Sequence, residues 1–129
     1  MKTNKTLSSL VLSISISLLC SNAFAYGAIA VGDSDPKASD ASTEQHFIAN
    51  GYASYDAAKE AAMGKCLAKK LHFCSIALWY DACGAYAKSD EKSGNAWAAT
   101  EDEAKRLAVA SCGQECKVVV AQCERGKSI

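Results

Sequence analysis

Ser54–Cys66, with the sequence SYDAAKEAAMGKC, returns later in the chain as Thr100–Cys112, TEDEAKRLAVASC. Both copies place a hydroxyl residue first, Asp third, Ala-Lys fifth and sixth, Ala ninth and Cys last. A hydroxyl residue can cap a helix, and apolar residues three or four apart form one helical face. The chain therefore carries two copies of one amphipathic helix, the first from about Tyr55 to Lys70 and the second after Thr100.

The segments around each helix are duplicated as well. Tyr26–Ala30, YGAIA, opens the first half and is matched by Cys83–Ala87, CGAYA. A cysteine, an aliphatic run and a final cysteine follow each helix, in Cys74–Cys83 and Cys116–Cys123. Such runs predict β-strands. We therefore expect an α+β fold made of two pseudo-symmetric β-β-α-β repeats, about 26–82 and 83–129, which form one sheet with two helices on one face and are stapled by disulfides.

A further strand is expected before each helix, at His46–Ala53 and at Ala96–Ala99. These strands hold Tyr52 and Trp97 at positions that we interpret as equivalent, so core packing is the simplest role for both. The acidic stretch from Gly32 to Gln45 contains the only proline of the chain and predicts a long loop. It lacks the glycine and terminal glutamate of a recognisable calcium loop, which favours a solvated loop over a calcium site.

The N-terminus has the features of a signal peptide. Lys2 and Lys5 precede an apolar stretch that is too short and too rich in serine for a membrane span. Ala23-Phe24-Ala25 then gives the small-x-small pattern of a cleavage site. We expect removal of residues 1–25, which leaves no transmembrane anchor and a single domain, residues 26–129, that is secreted or periplasmic.

The cysteine count agrees with export. Seven cysteines become six once Cys20 leaves with the signal peptide, and an even number in a short exported domain indicates disulfides. Their spacings lack the paired knuckles of a structural zinc site. The symmetry of the repeat suggests that the cysteine ending each helix bonds the one opening the next strand, and that the remaining two bond each other. The expected pairs are Cys66–Cys74, Cys112–Cys116 and Cys83–Cys123.

Charge and motif content argue against several function classes. Fourteen basic and fourteen acidic residues balance in the whole chain, whereas a nucleic-acid-binding protein needs a concentrated basic face. The two histidines, His46 and His72, lie outside any recognisable catalytic or metal-binding frame. We therefore assign no catalytic residue, no metal ligand, no cofactor and no nucleic-acid partner.

Trp79, Tyr80 and Asp81 form a candidate contact surface for a partner. The aromatic pair has no counterpart in the second repeat, where Ala121 and Gln122 take its place. Since neighbouring residues of a strand point to opposite faces, one of the two rings should lie outside the core. An exposed ring beside Asp81 is a candidate contact for a protein or a glycan, and an edge position covered by a loop is the alternative.

Together these segments resemble a family of small secreted bacterial proteins, the DUF4189 family. The resemblance rests on the order of the cysteines and on the two Gly-Ala-x-Ala segments at Gly27 and Gly84, and it covers residues 26–129. The Gly32–His46 loop and the Leu67–Phe73 insertion are longer than the usual spacing in the family. Membership implies export, disulfides and a duplicated fold, and it brings no activity or catalytic residue.

The residues therefore favour a non-enzymatic, protein-binding module that acts as an inhibitor, an immunity protein or an interaction factor with an unidentified protein partner. An envelope hydrolase acting on cell-wall material, with His72 or His46 beside a carboxylate, is one alternative. A secreted factor acting on host or competitor cells is the other.

Overall fold

A computed structural model describes residues 26–124 of the chain. The expected signal peptide, residues 1–25 with Cys20, lies outside the described residues. The elements follow the predicted β-β-α-β order twice, as β1 (Tyr26–Asp33), β2 (Glu44–Tyr52), α1 (Tyr55–Ala68), β3 (His72–Tyr80), β4 (Cys83–Lys88), β5 (Ser93–Ala98), α2 (Glu101–Cys112) and β6 (Lys117–Cys123). The α+β class and the duplicated unit are therefore confirmed.

The strands form two sheets, so the expectation of one sheet is not confirmed. Each repeat builds its own antiparallel three-stranded sheet, with the order β2-β1-β3 in the first and β5-β4-β6 in the second. In both, the strand that opens the repeat is central and pairs with the other two strands. Within residues 26–124, every hydrogen-bonded strand pair thus falls inside one repeat.

Side-chain size along the central strands sets the order of the layers. Ala28 and Ala30 of β1 pack against α1, whereas Ile29 and Val31 lie in a separate cluster with Tyr86 of β4. The alanines of β4 pack in the same way against α2. Alternate residues of a strand face opposite sides, so small residues accept a helix and large ones fill the space between the sheets. The layers run α1, first sheet, second sheet, α2, which corrects the expectation that both helices cover one face.

Both helices begin at the predicted cap. The Ser54 hydroxyl accepts the backbone N–H of Ala57 at 3.1 Å, and the Thr100 hydroxyl accepts that of Glu103 at 3.3 Å. The Glu103 carboxylate accepts hydrogen bonds from Arg106 one turn along the helix. The buried helical stripes are Ala58, Ala62, Cys66 and Ala104, Ala108, Cys112.

Three disulfides cross-link the fold. Cys66–Cys74 and Cys112–Cys116 each join the end of a helix to the start of the following strand, and Cys83–Cys123 joins paired positions of β4 and β6. These are the pairs that the symmetry of the repeat suggests. No helix within residues 26–124 is long and apolar enough to cross a membrane.

Candidate functional site

Trp97 lies outside the core, in contrast to the expectation from the sequence. Ser54 and Thr100 are equivalent caps, so Tyr52, two residues before Ser54, is equivalent to Ala98 rather than to Trp97. Tyr52 packs partly buried beside α1, and Ala98 is buried in the corresponding cluster beside α2. Trp97 is one residue earlier and lies on the opposite face of its strand. The expectation that Trp97 packs in the core is wrong, because its side chain is 62% exposed.

Of the predicted aromatic pair, Tyr80 is the buried member. Its side chain is 1% exposed, and its hydroxyl donates a hydrogen bond to Asn50 Oδ1. Burial raises the pKa of this hydroxyl well above its ordinary value. A β-carbon added at Gly27 would lie 2.5 Å from Cε2 and Cζ of the Tyr80 ring, and one added at Gly84 would lie 2.7 Å from Cε1 and nearer still to Cδ1. The ring thus occupies the space left by the two equivalent glycines, and Tyr80 offers no side-chain surface to a partner.

Trp79 is the exposed member, as alternation requires. It pairs with Ala28, which places it on the α1 side of the first sheet, and 50% of its surface is accessible. The Lys59 ammonium lies 5.1 Å from the centre of its ring, within the range of a cation–π interaction. Asp81 is also exposed, and its carboxylate accepts a hydrogen bond from the Tyr55 hydroxyl. Burial and this carboxylate raise the pKa of the hydroxyl.

Trp79 and Trp97 line one groove, although they come from different sheets. We call it the edge groove; its volume is about 580 Å³, and it is lined by Ala77, Leu78, Trp79, Asn95, Ala96, Trp97, Leu107 and Ser111. β5 is the outer strand of its sheet, α2 covers one face of that sheet, and β3 lies against the other. The edge groove therefore runs beside β5, between α2 and β3. None of the residues that line it carries a formal charge.

The equivalent edge in the first repeat is closed. Helix position Ser111 corresponds to Lys65, since Cys112 and Cys66 are equivalent. Lys65 donates a hydrogen bond from Nζ to the backbone oxygen of Ile48, and so covers the outer strand β2. Lysine is one of the residues that proteins use to blunt a sheet edge. Its replacement by Ser111 in the second repeat leaves the β5 edge without this closure.

Neither histidine lines the edge groove. His46 lies on β2, where burial and the nearby Lys88 ammonium lower its pKa. His72 opens β3 and is exposed. A general base needs a cleft and a partner that orients it. The described residues bring no histidine to the edge groove, and hydrolysis by His46 or His72 remains an untested alternative.

A second groove, of about 340 Å³, lies beside the acidic loop and includes Asp40 and Phe73 in its lining. The loop carboxylates bond within their own turns. Asp35 accepts the backbone N–H of Lys37, and Asp40 accepts both the N–H and the hydroxyl of Ser42, which lowers the pKa of Asp40. In the part of the chain that the structure describes, no three metal-ligating side chains cluster together.

Sequence reasoning identified Trp79 and missed Trp97, Leu107 and Ser111. The available signal for Trp97 was its place in the repeat, because the cap positions align it with Gly51. A tryptophan cannot share the role of that glycine, which has a positive φ of 77° at an irregularity in β2. Leu107 and Ser111 were not identifiable as groove residues, since their position depends on how the two sheets stack.

A family model described as "Domain of unknown function (DUF4189)" matches residues 26–123. The match covers more than half of the chain, which therefore belongs to this family. Neither the curated proteins nor the solved structures gave a match.

Proposed function

We propose that this member of the DUF4189 family is an exported, non-enzymatic protein-binding module whose partner binds in the edge groove. The observation that carries the proposal is the placement of two half-exposed tryptophans around one uncharged groove. Tryptophan is enriched among the residues that dominate binding energy in protein interfaces, and burial of such a ring removes a large apolar area from water.

The scaffold suits a rigid binding surface. Both tryptophans stand on strands, and the two strands belong to sheets that share a buried cluster of large side chains. Side chains on strands hold their position better than side chains on loops, which limits the entropy lost on binding. A preformed groove of this kind supports recognition without any catalytic group.

The disulfides support export to the periplasm or the extracellular space. Disulfides persist in oxidising compartments and are rare in the cytosol. The matched domain has fewer than 100 residues. Disulfides typically contribute about 2–4 kcal/mol each, which is a large share of a total stability of about 5–15 kcal/mol. A signal peptide at residues 1–25 would deliver the chain to such a compartment.

The test is capture of a partner in a way that depends on the edge groove. The full chain, expressed with export and purified with its disulfides formed, is incubated with envelope and secreted extracts of the source organism. Trp97→Ala is compared with Leu67→Ala, because Leu67 is 59% exposed but lies on α1 away from the groove lining. We expect a protein retained near equal stoichiometry by the wild type and Leu67→Ala and lost with Trp97→Ala. Identical capture by all three proteins would refute the proposed function.

A further inference from the structure

We propose that the partner contributes an extended, uncharged segment that adds as a fourth strand to the open edge of β5. This inference rests on the proposed function and specifies the chemistry of the partner. It follows from the β5 edge, from the layers on either side of that edge, and from the difference between the two repeats.

The first step is that the edge groove exposes backbone. Three consecutive residues of β5, Asn95, Ala96 and Trp97, line it. Consecutive side chains point to opposite faces of a sheet, so a groove that touches all three must run along the strand edge. Within residues 26–124, β5 has a hydrogen-bonded neighbour only in β4, and its other edge faces the groove. An outer edge of this kind carries N–H and C=O groups able to pair with an added strand.

The second step is that β5 lacks the usual protection of an edge. Its sequence, SGNAWA, contains no charged residue and no proline, which are common means of preventing strand addition. In the first repeat, Lys65 bonds the backbone oxygen of Ile48 and closes the corresponding edge. Ser111 occupies the same helix position in the second repeat and lines the groove instead. One fold thus contains a closed edge and an open edge.

The third step is that the neighbouring layers leave a slot beside this edge. Leu107 and Ser111 of α2 bound one side of the edge groove, and Leu78 and Trp79 of β3 bound the other. A strand added beside β5 would continue the second sheet between these two layers. Its side chains would alternate between the α2 side and the Trp97 side. Strand addition obtains affinity from main-chain hydrogen bonds and specificity from such alternate contacts.

The chemistry of the lining defines the segment. Apolar carbon makes up most of the lining, and its polar side-chain groups are the Asn95 amide, the Ser111 hydroxyl and the indole N–H groups of Trp79 and Trp97. A charged side chain placed there would lose its hydration without an ionic partner in the lining, which is unfavourable. We therefore expect small or aliphatic side chains toward α2 and larger apolar side chains toward Trp97.

The test uses synthetic peptides and two substitutions at one position. Random eight-residue peptides are displayed and selected on the full, oxidised chain, with counter-selection on Trp97→Ala. Ser111→Lys gives the second repeat the lysine that closes the first, and Ser111→Ala is its matched control. We expect the selected peptides to bind the wild type and Ser111→Ala, with at least about tenfold weaker binding to Ser111→Lys, the equivalent of about 1.4 kcal/mol.

Backbone N-methylation of a selected peptide distinguishes strand addition from other modes. In an antiparallel pair, alternate residues direct their N–H groups toward the neighbouring strand. Methylation should therefore weaken binding about tenfold at every second position of the peptide and have little effect at the positions between them. Hydrogen exchange should slow at amides within residues 95–97 when peptide is bound. Uniform sensitivity to methylation, or binding that Ser111→Lys leaves unchanged, would overturn the inference.

The remaining outcomes separate this inference from the proposed function. A protein partner that depends on Trp97 but shows no alternating pattern would leave the proposed function intact and refute strand addition. Trp97-dependent binding of chito-oligosaccharides, with no selectable peptide, would refute both and assign the groove to glycans. Self-association of the chain that is lost with Ser111→Lys would identify a second copy as the occupant and overturn the claim of a separate partner.

Discussion

Tyr80 and the two glycines that enclose it allow a sharp test of how the sheets are stacked. An ideal β-carbon at Gly84 would lie 2.7 Å from Cε1 of the Tyr80 ring and nearer still to Cδ1, and one at Gly27 would lie 2.5 Å from Cε2 and Cζ. Carbon atoms in favourable contact are about 3.5–4.0 Å apart. The ring would have to move by about 1 Å away from Gly84, and Gly27 blocks that movement. Gly84→Ala should therefore cost about 2–3 kcal/mol, at the upper end for an overpacked core.

Equilibrium unfolding in urea with the disulfides intact measures this cost. Tyr80→Ala alone should lower the free energy of unfolding by about 3–5 kcal/mol. In the Tyr80→Ala background, Gly84→Ala should cost at least about 1 kcal/mol less than in the wild type, because its methyl group enters vacated space. Gly64→Ala is the matched control, since nothing lies within 4 Å of its β-carbon and the residue is in α1. It should stabilise the protein by about 0.5–1 kcal/mol. Additive effects of Gly84→Ala and Tyr80→Ala would refute this account of the contact.

Three further predictions concern the cross-links, one histidine and the helix caps. The sequence separation is 40 for Cys83–Cys123, 8 for Cys66–Cys74 and 4 for Cys112–Cys116, which gives chain-entropy contributions of about 3.9, 2.5 and 1.9 kcal/mol. Replacing Cys83 and Cys123 by alanine should therefore lower the urea midpoint most. A larger loss from the Cys112–Cys116 pair would contradict this order. Burial and Lys88 lower the pKa of His46 in the folded protein. The unfolded chain therefore binds more protons below the ordinary histidine pKa of about 6.5, and stability should fall as the pH drops through that value. Between pH 7.5 and 5 the urea midpoint should fall less for His46→Gln than for the wild type, and parallel profiles of the two proteins would exclude His46 as the cause. Ser54→Ala and Thr100→Ala should each lower the free energy of unfolding by about 1 kcal/mol, whereas Ser54→Asp should retain the cap. Thermal unfolding measures these changes. An unchanged stability of both alanine variants would show that the capping hydrogen bonds do not stabilise the helices.

The order of the elements was predictable because each element has a local signal. The caps at Ser54 and Thr100 and the alanine stripes determine the helices, and a cysteine lies near the start of each closing strand. The error at Trp97 arose from a shift of one residue in aligning the repeats. Such a shift moves a side chain from the core face to the opposite face, because side chains alternate along a strand. The positive φ of Gly51, 77°, accompanies an irregularity in β2 that hides the correct alignment.

The division into two sheets required information that no single segment holds. A strand that is buried on both faces and one that is buried on one face can have similar hydrophobicity, since alanine serves both roles. The useful signal was the difference in size between neighbours, with Ala28 and Ala30 beside a helix and Ile29 and Val31 between the sheets. Whether the layer that packs against the face with the large residues is a helix or another sheet depends on long-range packing. Local periodicity does not specify that choice.

The differences between the repeats locate the candidate site better than their similarities do. Residues shared by both copies cap helices, line the helix–sheet contacts, form cross-links or, at Gly27 and Gly84, leave space for the Tyr80 ring. At the edge groove the copies diverge, with Trp97 in place of Gly51, Trp79 in place of Ala121 and Ser111 in place of Lys65. Each of these three differences either adds exposed aromatic surface or removes a closing cation on the same side of the molecule. Packing alone gives no reason for them to coincide, whereas a binding site at only one of the two equivalent sheet edges accounts for all three. Lys65→Ser tests this argument, because it removes the closing lysine from the first edge but leaves Gly51 and Ala121 in the places of the two tryptophans. The variant should therefore still bind one peptide per chain, and a second binding site would contradict the role given to the tryptophans.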